Sequence, residues 1–359
     1  MELQKFIDDN ENYIDEFKKR GLIVKRFSKE NLILVKYKFN ENLEEEWMKY
    51  CKGSVIDTKN NKIVLLPPMK AEELEYPLTR DITKEENYDI SYLLDGTMIN
   101  IFFHNDKWLM STRSDIGCLN KWNNHLNFKD MFFETVNDDD FYNKLDQNNT
   151  YSFILQHKSN RNVSMVYENI IYLVEVRNKN NLELLELPRL DNIINIESLK
   201  LVFQNVDEIN NVFSFFDFNL KGLNISINGI RYKLISKQFD LVKNICINTT
   251  NNMKKFIYLK KEDKLNEYLF FYNEYKEIFK NYESKYNIMV NELYDNYCKV
   301  NISKEIELKD VPFQLKPLIF DIHKIYLSYK RKITKKIVDK YMISLDLNKI
   351  LFVIDYYKN

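Results

Sequence analysis

Apolar residues near the start of the chain recur at helical spacing. Leu3, Phe6, Ile7, Tyr13, Ile14 and Phe17 predict a helix over about 2–19. The period then shortens to that of strands. Segments 22–27 (LIVKRF) and 32–39 (LILVKYKF) read as strands, as do the runs around 54–57 (SVID) and 62–68 (KIVLLPP). Segment 92–114 predicts a β-hairpin turning at Asn105-Asp106, and a helical stretch follows around 120–145. Strands are expected again at 151–158 and 169–178. A second hairpin is expected over 222–236, with Asn228-Gly229 at its turn. Beyond Lys237 the strand pattern stops. Three long amphipathic segments, 261–299, 315–342 and 348–359, read as helices. The pattern predicts an α+β part over 1–239 and an all-helical part over 240–359, with no internal repeat.

Composition supports a folded chain of more than one domain. Its 359 residues are 45% hydrophobic, 30% charged and 14% aromatic, and only six are glycine and six proline. This excludes collagen-like, linker-like and low-complexity classes. The net charge is +0 overall but uneven. From Asp240 onward there are 22 Lys and Arg against 16 Asp and Glu, a surplus of +6 that the remainder balances with −6. An electrostatic footprint for nucleic acid is therefore expected mainly in the C-terminal third. Cys51, Cys118, Cys246 and Cys298 are dispersed and form no CxxC pair, so no metal site is expected and the thiols read as reduced. No apolar run approaches a membrane span, and the N-terminal MELQKFIDDNENYIDEF has no apolar core of a signal segment. The expectation is a cytoplasmic protein with no membrane contact.

In a chain so poor in glycine, each glycine marks a backbone need. The surroundings read Lys52-Gly53, Leu93-Leu94-Asp95-Gly96, Arg113 followed by Gly117, Phe153-Ile154, Asn160-Arg161, Lys221-Gly222 and Lys233-Leu234-Ile235-Ser236. This order resembles the T4-phage type of RNA ligase, the first class of ATP-dependent tRNA-repair ligases, over nearly the whole chain. That family carries, in order, Arg-Gly, Lys-x-Asp-Gly, a hairpin ending in Lys/Arg-Gly, Phe-Glu, Asn-Arg, Glu-Gly and Lys-x-Lys-Ser. The resemblance implies a nucleotidyltransferase-like antiparallel-sheet domain followed by an all-α domain. It also implies a chemistry in which a lysine attacks the α-phosphate of ATP while carboxylates hold the ribose and a metal ion.

The chemical positions of that pattern are altered here. Leu93 stands where the nucleophilic lysine belongs, and leucine cannot attack phosphorus. Ile154 and Lys221 stand at the two glutamates, Ile235 at the second lysine of the last motif and Lys52 at the arginine. Asp95, Gly96, Gly53, Gly222, Asn160-Arg161, Lys233 and Ser236 are retained. The resemblance thus implies a vestigial pocket formed by Lys52, Leu93, Asp95, Gly96, Ile154, Lys221, Lys233 and Ile235, with no catalytic residue, metal or cofactor. The bland reading of Leu93, Ile154 and Ile235 is that each is an inward residue of a half-buried strand, and those side chains would fill the pocket. Arg113, Arg161, Lys237, Lys330, Arg331 and Lys332 are candidate contacts to RNA or a partner protein; otherwise they are solvated charges. His157 reads as a strand histidine rather than a base.

Two functions compete. A ligase-shaped binder without chemistry could serve as an immunity protein against a tRNA anticodon nuclease toxin, as on yeast killer plasmids, binding either the toxin or its tRNA target. Alternatively the chain seals pre-adenylated RNA, a step that needs no nucleophilic lysine, or serves as a structural subunit of an RNA-processing complex.

Overall fold

The structure, a computed structural model, describes residues 1–38, 43–121 and 126–355. The chain forms two compact units, Met1–Lys243 and Asn244–Asn359. The first is α+β with mainly antiparallel sheets and the second is helical, the class and order expected from the sequence.

In the first unit, helices α1 (Glu2–Asp9) and α2 (Tyr13–Lys19) precede strands β1 (Ile23–Phe27), β2 (Leu32–Lys36), β3 (Lys52–Asp57) and β4 (Lys62–Leu65). These strands make one antiparallel sheet in sequence order. Leu3, Ile7, Tyr13 and Phe17 bury the helices against it, with the Phe6 ring stacked on Trp47 at 4.1 Å. The single helix expected over 2–19 is broken because Asn10 leaves the helix and its side-chain amide donates to the Phe6 carbonyl (2.7 Å). Asparagine competes for backbone partners in this way wherever a helix can end.

The chain continues through β5 (Glu72–Glu73), β6 (Tyr88–Tyr92), β7 (Thr97–His104), β8 (Lys107–Ser111), α3 (Phe128–Val136), β9 (Asn149–Gln156), β10 (Ile170–Asn178), β11 (Leu184–Leu185), β12 (Ile194–Asn195) and β13 (Lys200–Leu201). It then adds α4 (Val206–Ser214), β14 (Gly222–Ile227), β15 (Ile230–Ile235) and α5 (Lys237–Lys243). A central sheet runs β11-β10-β9-β7-β8, with β12 parallel to β10, and a third sheet runs β13-β6-β14-β15-β5. Both predicted hairpin turns form. Asn105 and Asp106 have φ of 47° and 58°, and Asn228 and Gly229 have 50° and 81°, the left-handed pair that a two-residue hairpin turn requires. The segment 92–114, however, is not one hairpin. Its first residues end β6 in the third sheet, and Asp95-Gly96 carries the chain across to β7 in the central sheet.

Strand alternation divides the central sheet by face. Ile99, Ile101, Phe153, Leu155 and Leu173 pack under Phe128, Met131, Phe132 and Val136 of α3. On the other face, Met98, Ile154 and Tyr172 lie directly opposite one another across three strands. The third sheet buries Ile90, Leu223, Ile225 and Leu234 beneath α4 through Ile209 and Phe213. Its opposite face carries Arg231, Lys233 and Ile235 at alternate positions of β15.

The helical unit contains α6 (Asn252–Lys261), α7 (Leu265–Phe271), α8 (Lys276–Asn301), α9 (Lys316–Tyr329), α10 (Lys335–Ser344) and α11 (Leu347–Asp355). Two helices expected to be continuous are divided. A non-helical Tyr272 separates α7 from the short turn before α8, and Lys330, at φ 51°, ends α9. Lys330, Arg331 and Lys332 therefore sit in a linker rather than on a helix face. Residue 39 of the second predicted strand, residues 122–125 of the helical stretch and the tail of the last helix from 356 lie outside the described residues.

Gly53 has φ of 102°, and a Cβ there would lie 2.8 Å from the Arg113 Cα. Gly53→Ala is expected to destabilise the fold by about 2–4 kcal/mol, through positive-φ strain and the displaced Arg113 backbone. Urea unfolding followed by circular dichroism measures this, and a loss under about 0.5 kcal/mol would refute the close approach.

Candidate functional site

The chain crosses from the third sheet to the central sheet at Asp95-Gly96, and hydrogen bonds fix that crossing. The Leu93 amide donates to the Gly222 carbonyl (2.8 Å), tying the end of β6 to the start of β14. The Val163 and Ser164 amides donate to Asp95 Oδ2 (2.9 and 3.1 Å), and Lys221 Nζ lies 3.8 Å from Asp95 Oδ1. Gln156 donates to the Asp95 carbonyl (2.7 Å). Gly96 fits beneath Ile154: a Cβ on it would meet Ile154 Cγ2 at 2.6 Å and the Leu155 carbonyl at 2.7 Å. Asp95-Gly96 thus serves as a structural clasp.

Cations gather around this crossing. Lys52 opens β3, and Gly53 brings it against the backbone of Arg113. Lys52 also lies within electrostatic reach of Lys221, Arg231 and Lys233. No acceptor for Lys52 Nζ exists among the described residues. Desolvation first, then repulsion from Arg231, Lys221, Arg113 and Lys233, pulls its pKa down to about 7. Burial also lowers the Lys221 pKa despite the attraction of Asp95, and lowers that of Arg231 despite Glu175. The other cations are partly engaged. Arg231 donates to Asn224 Oδ1 (3.2 Å), Lys233 pairs with Glu73 (2.5 Å) and Lys221 donates to the Leu94 carbonyl (3.3 Å). Arg113 donates to the Tyr37 carbonyl (2.8 Å) and lies 4.5 Å over the Tyr37 ring, while its buried Nε has no partner among the described residues.

The residues read from the sequence divide accordingly. Lys52, Lys221 and Lys233 come together with Arg113, and Leu93, Asp95, Gly96 and Ile154 form the crossing beside them. Ile235 pairs with Gly222 and is half-buried, as are Leu93 and Ile154. Arg161 stands slightly apart, donating to the Val163 carbonyl (2.9 and 3.1 Å), and supports the loop that Asp95 holds. Lys237 is exposed at the start of α5. Lys330, Arg331 and Lys332 belong to the helical unit and are exposed. His157 is buried, and its Nδ1 accepts from the Ser159 amide (3.1 Å), a capping role. The sequence reading missed Arg231. Its signal was the strand period, since Arg231, Lys233 and Ile235 are alternate residues and share one face.

The ligase resemblance implies ATP and a divalent metal, and the donor set can be tested against both. Ile154 and Lys221 replace the two carboxylates, and Asp95 spends its Oδ2 on two backbone amides. Among the described residues, no group of three or more His, Cys, Asp or Glu could hold a metal ion. Asp95 is thus the carboxylate of the ligase pattern that remains at the crossing, and its Oδ2 is taken up by two backbone amides. An anionic phosphate fits the cations.

No protein-family model matches the chain. A curated relative is the putative bifunctional polynucleotide kinase/RNA ligase of Autographa californica nuclear polyhedrosis virus. It is 24% identical over 191 residues, 47% of this chain and 26% of that protein. The chain thus spans about a quarter of the relative's length. Similar solved structures include a putative ATP-dependent DNA ligase from Aquifex aeolicus, with TM-score 0.41 and 12% identity over 76% of this chain and 75% of that one. An archaeal ATP-dependent RNA ligase gives 0.39 and 14% over 76% and 70%. A Naegleria gruberi RNA ligase gives 0.32 and 13% over 44% and 52%. Superpositions this loose assign neither substrate nor activity. Among the described residues, no helix is long and apolar enough to cross a membrane.

The depressed Lys52 pKa has a thermodynamic sign. The unfolded chain binds this proton up to the ordinary lysine range, whereas the folded chain releases it near pH 7. The burden on folding is therefore greatest below about pH 7 and fades as pH rises toward the ordinary lysine value. Lys52→Met is expected to stabilise the protein at about pH 6 and to lose that advantage by about pH 10, as read by urea midpoints. An equal effect at both pH values would contradict the desolvated lysine.

Proposed function

We propose that this protein is a non-catalytic, RNA-ligase-like binder that holds the phosphate backbone of RNA in the cleft between its central and third sheets. In this reading it acts as an immunity protein, shielding tRNA from an anticodon-cleaving ribonuclease toxin. The observation that carries the reading is the convergence of Lys52, Arg113, Lys221, Arg231 and Lys233, whose nearby acids are already engaged: Asp95 with two backbone amides, Glu73 with Lys233 and Glu175 with Arg177. Leu93 removes the nucleophile at the expected position, and the half-buried Leu93, Ile154 and Ile235 add apolar surface beside the cations. A phosphate supplies what Lys52 lacks, an acceptor and a counter-charge. Bound phosphate raises the Lys52 pKa again, so binding takes up a proton. The sequence relationship to a viral polynucleotide kinase/RNA ligase supports RNA as the polyanion.

The test is fluorescence anisotropy of the full chain with a labelled tRNA anticodon stem-loop, alongside incubation with ATP labelled at the α-phosphate. Lys52→Ala and Arg231→Ala are each expected to weaken RNA binding by about tenfold, the scale of one charge-assisted hydrogen bond. Wild-type affinity is expected to fall as pH rises through about 7, and Lys52→Arg is expected to remove that dependence. No covalent adenylate should form. A labelled adenylate that disappears in Lys52→Met would overturn the non-catalytic reading and make Lys52 a displaced nucleophile. Sealing of pre-adenylated RNA would overturn it as well. Stable capture of the nuclease without any affinity for tRNA would refute the shielding form.

A further inference from the structure

The helical unit carries a second feature that the cleft does not use. The +6 surplus of the chain from Asp240 onward lies entirely within 316–340, where Lys316, Lys324, Lys330, Arg331, Lys332, Lys335, Lys336 and Lys340 face only two acids, Asp321 and Asp339. Both acids are engaged inside the unit: Asp321 accepts from the Tyr341 hydroxyl and Asp339 from the Tyr286 hydroxyl, each at 2.9 Å. Lys324 has a loose ion pair with Asp321 (3.7 Å), while Lys330, Arg331, Lys332, Lys335, Lys336 and Lys340 have no ion pair among the described residues. These last six are exposed.

Large apolar side chains interleave with these charges. Helix α9 packs inward through Leu318, Ile319 and Ile322. Its outward face, at steps of three and four residues, carries Pro317, Phe320, Lys324 and Leu327. Phe320 is 54% exposed and Leu327 49%. Lys324 Nζ stands 4.4 Å over the Phe320 ring. The stripe ends at the linker, where Tyr329 is 72% exposed. The buried Ile333 anchors that linker while Lys330, Arg331 and Lys332 stay in solvent. A surface for a folded protein gathers apolar residues at its centre and charges at its rim, whereas here Lys324 stands between Phe320 and Leu327 on the stripe itself. A membrane-surface helix presents a broad apolar face, and this one offers a stripe one residue wide. Phe320 and Leu327 are seven residues apart on α9, a rise of about 10.5 Å. That spacing leaves room for one base against each, with a phosphate at Lys324 between them.

We infer that the outer face of α9 and the 330–332 linker bind single-stranded RNA, with Phe320 and Leu327 contacting bases and Lys330, Arg331 and Lys332 contacting phosphates. The choice of RNA rests on the function proposed above; the location does not.

The experiment is anisotropy of the full chain with a fluorescein-labelled oligouridylate of about 12 nucleotides across a salt series. Replacing Phe320 and Leu327 together by Ala is expected to weaken binding about fivefold or more with an unchanged salt slope. Replacing Lys330, Arg331 and Lys332 together by Ala is expected to lower the slope of log affinity against log salt by about 2. All five positions are exposed in the structure, and an unchanged circular dichroism spectrum serves as the folding control. Wild-type affinity and slope in both variants would overturn the inference, even if Lys52→Ala abolished binding and so upheld the cleft. Loss in these variants with Lys52→Ala unaffected would uphold the α9 site and remove the cleft reading. Failure of the wild-type chain to bind any RNA overturns both. Binding to phosphatidylserine vesicles but not to the oligonucleotide, lost in the Phe320 variant, would replace RNA by a lipid surface.

Discussion

The carboxylate of Asp95 holds the first unit's working geometry together. It receives two backbone amides from the loop at Val163 and Ser164, and Lys221 from the start of the third sheet lies beside it. Those contacts stand at the step where the chain leaves one sheet for the next. Hydrogen bonds to a charged acceptor contribute more than neutral ones, and an unmatched carboxylate at a site this buried would be costly. The path of the chain from β6 to β7 is held by this clasp, because Gln156 at the end of β9 also donates to the Asp95 carbonyl.

The cations that gather at this crossing have an electrostatic consequence. Five cationic side chains share a partly desolvated space, and the acids within reach are committed: Asp95 to the clasp, Glu73 to Lys233 and Glu175 to Arg177 at 2.6 Å. Lys52 bears the residual imbalance because it alone of the five has no acceptor among the described residues. Desolvation and repulsion from the other four together pull the Lys52 pKa down to about 7. A protonated lysine held there costs folding free energy that an apolar residue at position 52 would not.

Much of this was legible in the chain before its fold was known. Hairpin turns at Asn105-Asp106 and Asn228-Gly229 follow from local backbone chemistry, and the end of strands after Lys237 follows from periodicity. Helix breaks were less legible, because Asn10, Tyr272 and Lys330 interrupt an apolar rhythm that continues on either side. At Lys330 the left-handed conformation goes with tertiary packing, the burial of Ile333 three residues on. Lys52, Lys221 and Lys233 were legible as motif positions, whereas Arg231 belongs to no motif and joins Lys233 only through the pleat of β15. Nor could the sequence place Arg161 on the supporting loop, since that depends on the fold around Asp95.

The pattern of replacements can be judged by what catalysis demands. Phosphoryl or nucleotidyl transfer requires groups that stabilise the transition state more than the bound ground state. A mixed set of lysines and metal-holding carboxylates can do so, because the charges follow the phosphorus as its bonds change. Here Leu93, Ile154 and Ile235 are apolar and Lys221 is of the opposite sign to the residue it replaces in the ligase pattern. What stands in the first unit is the Asp95 clasp and the close backbone approaches at Gly53 and Gly96, and the charged side chains gathered around them are mostly cations whose neighbouring acids are already paired.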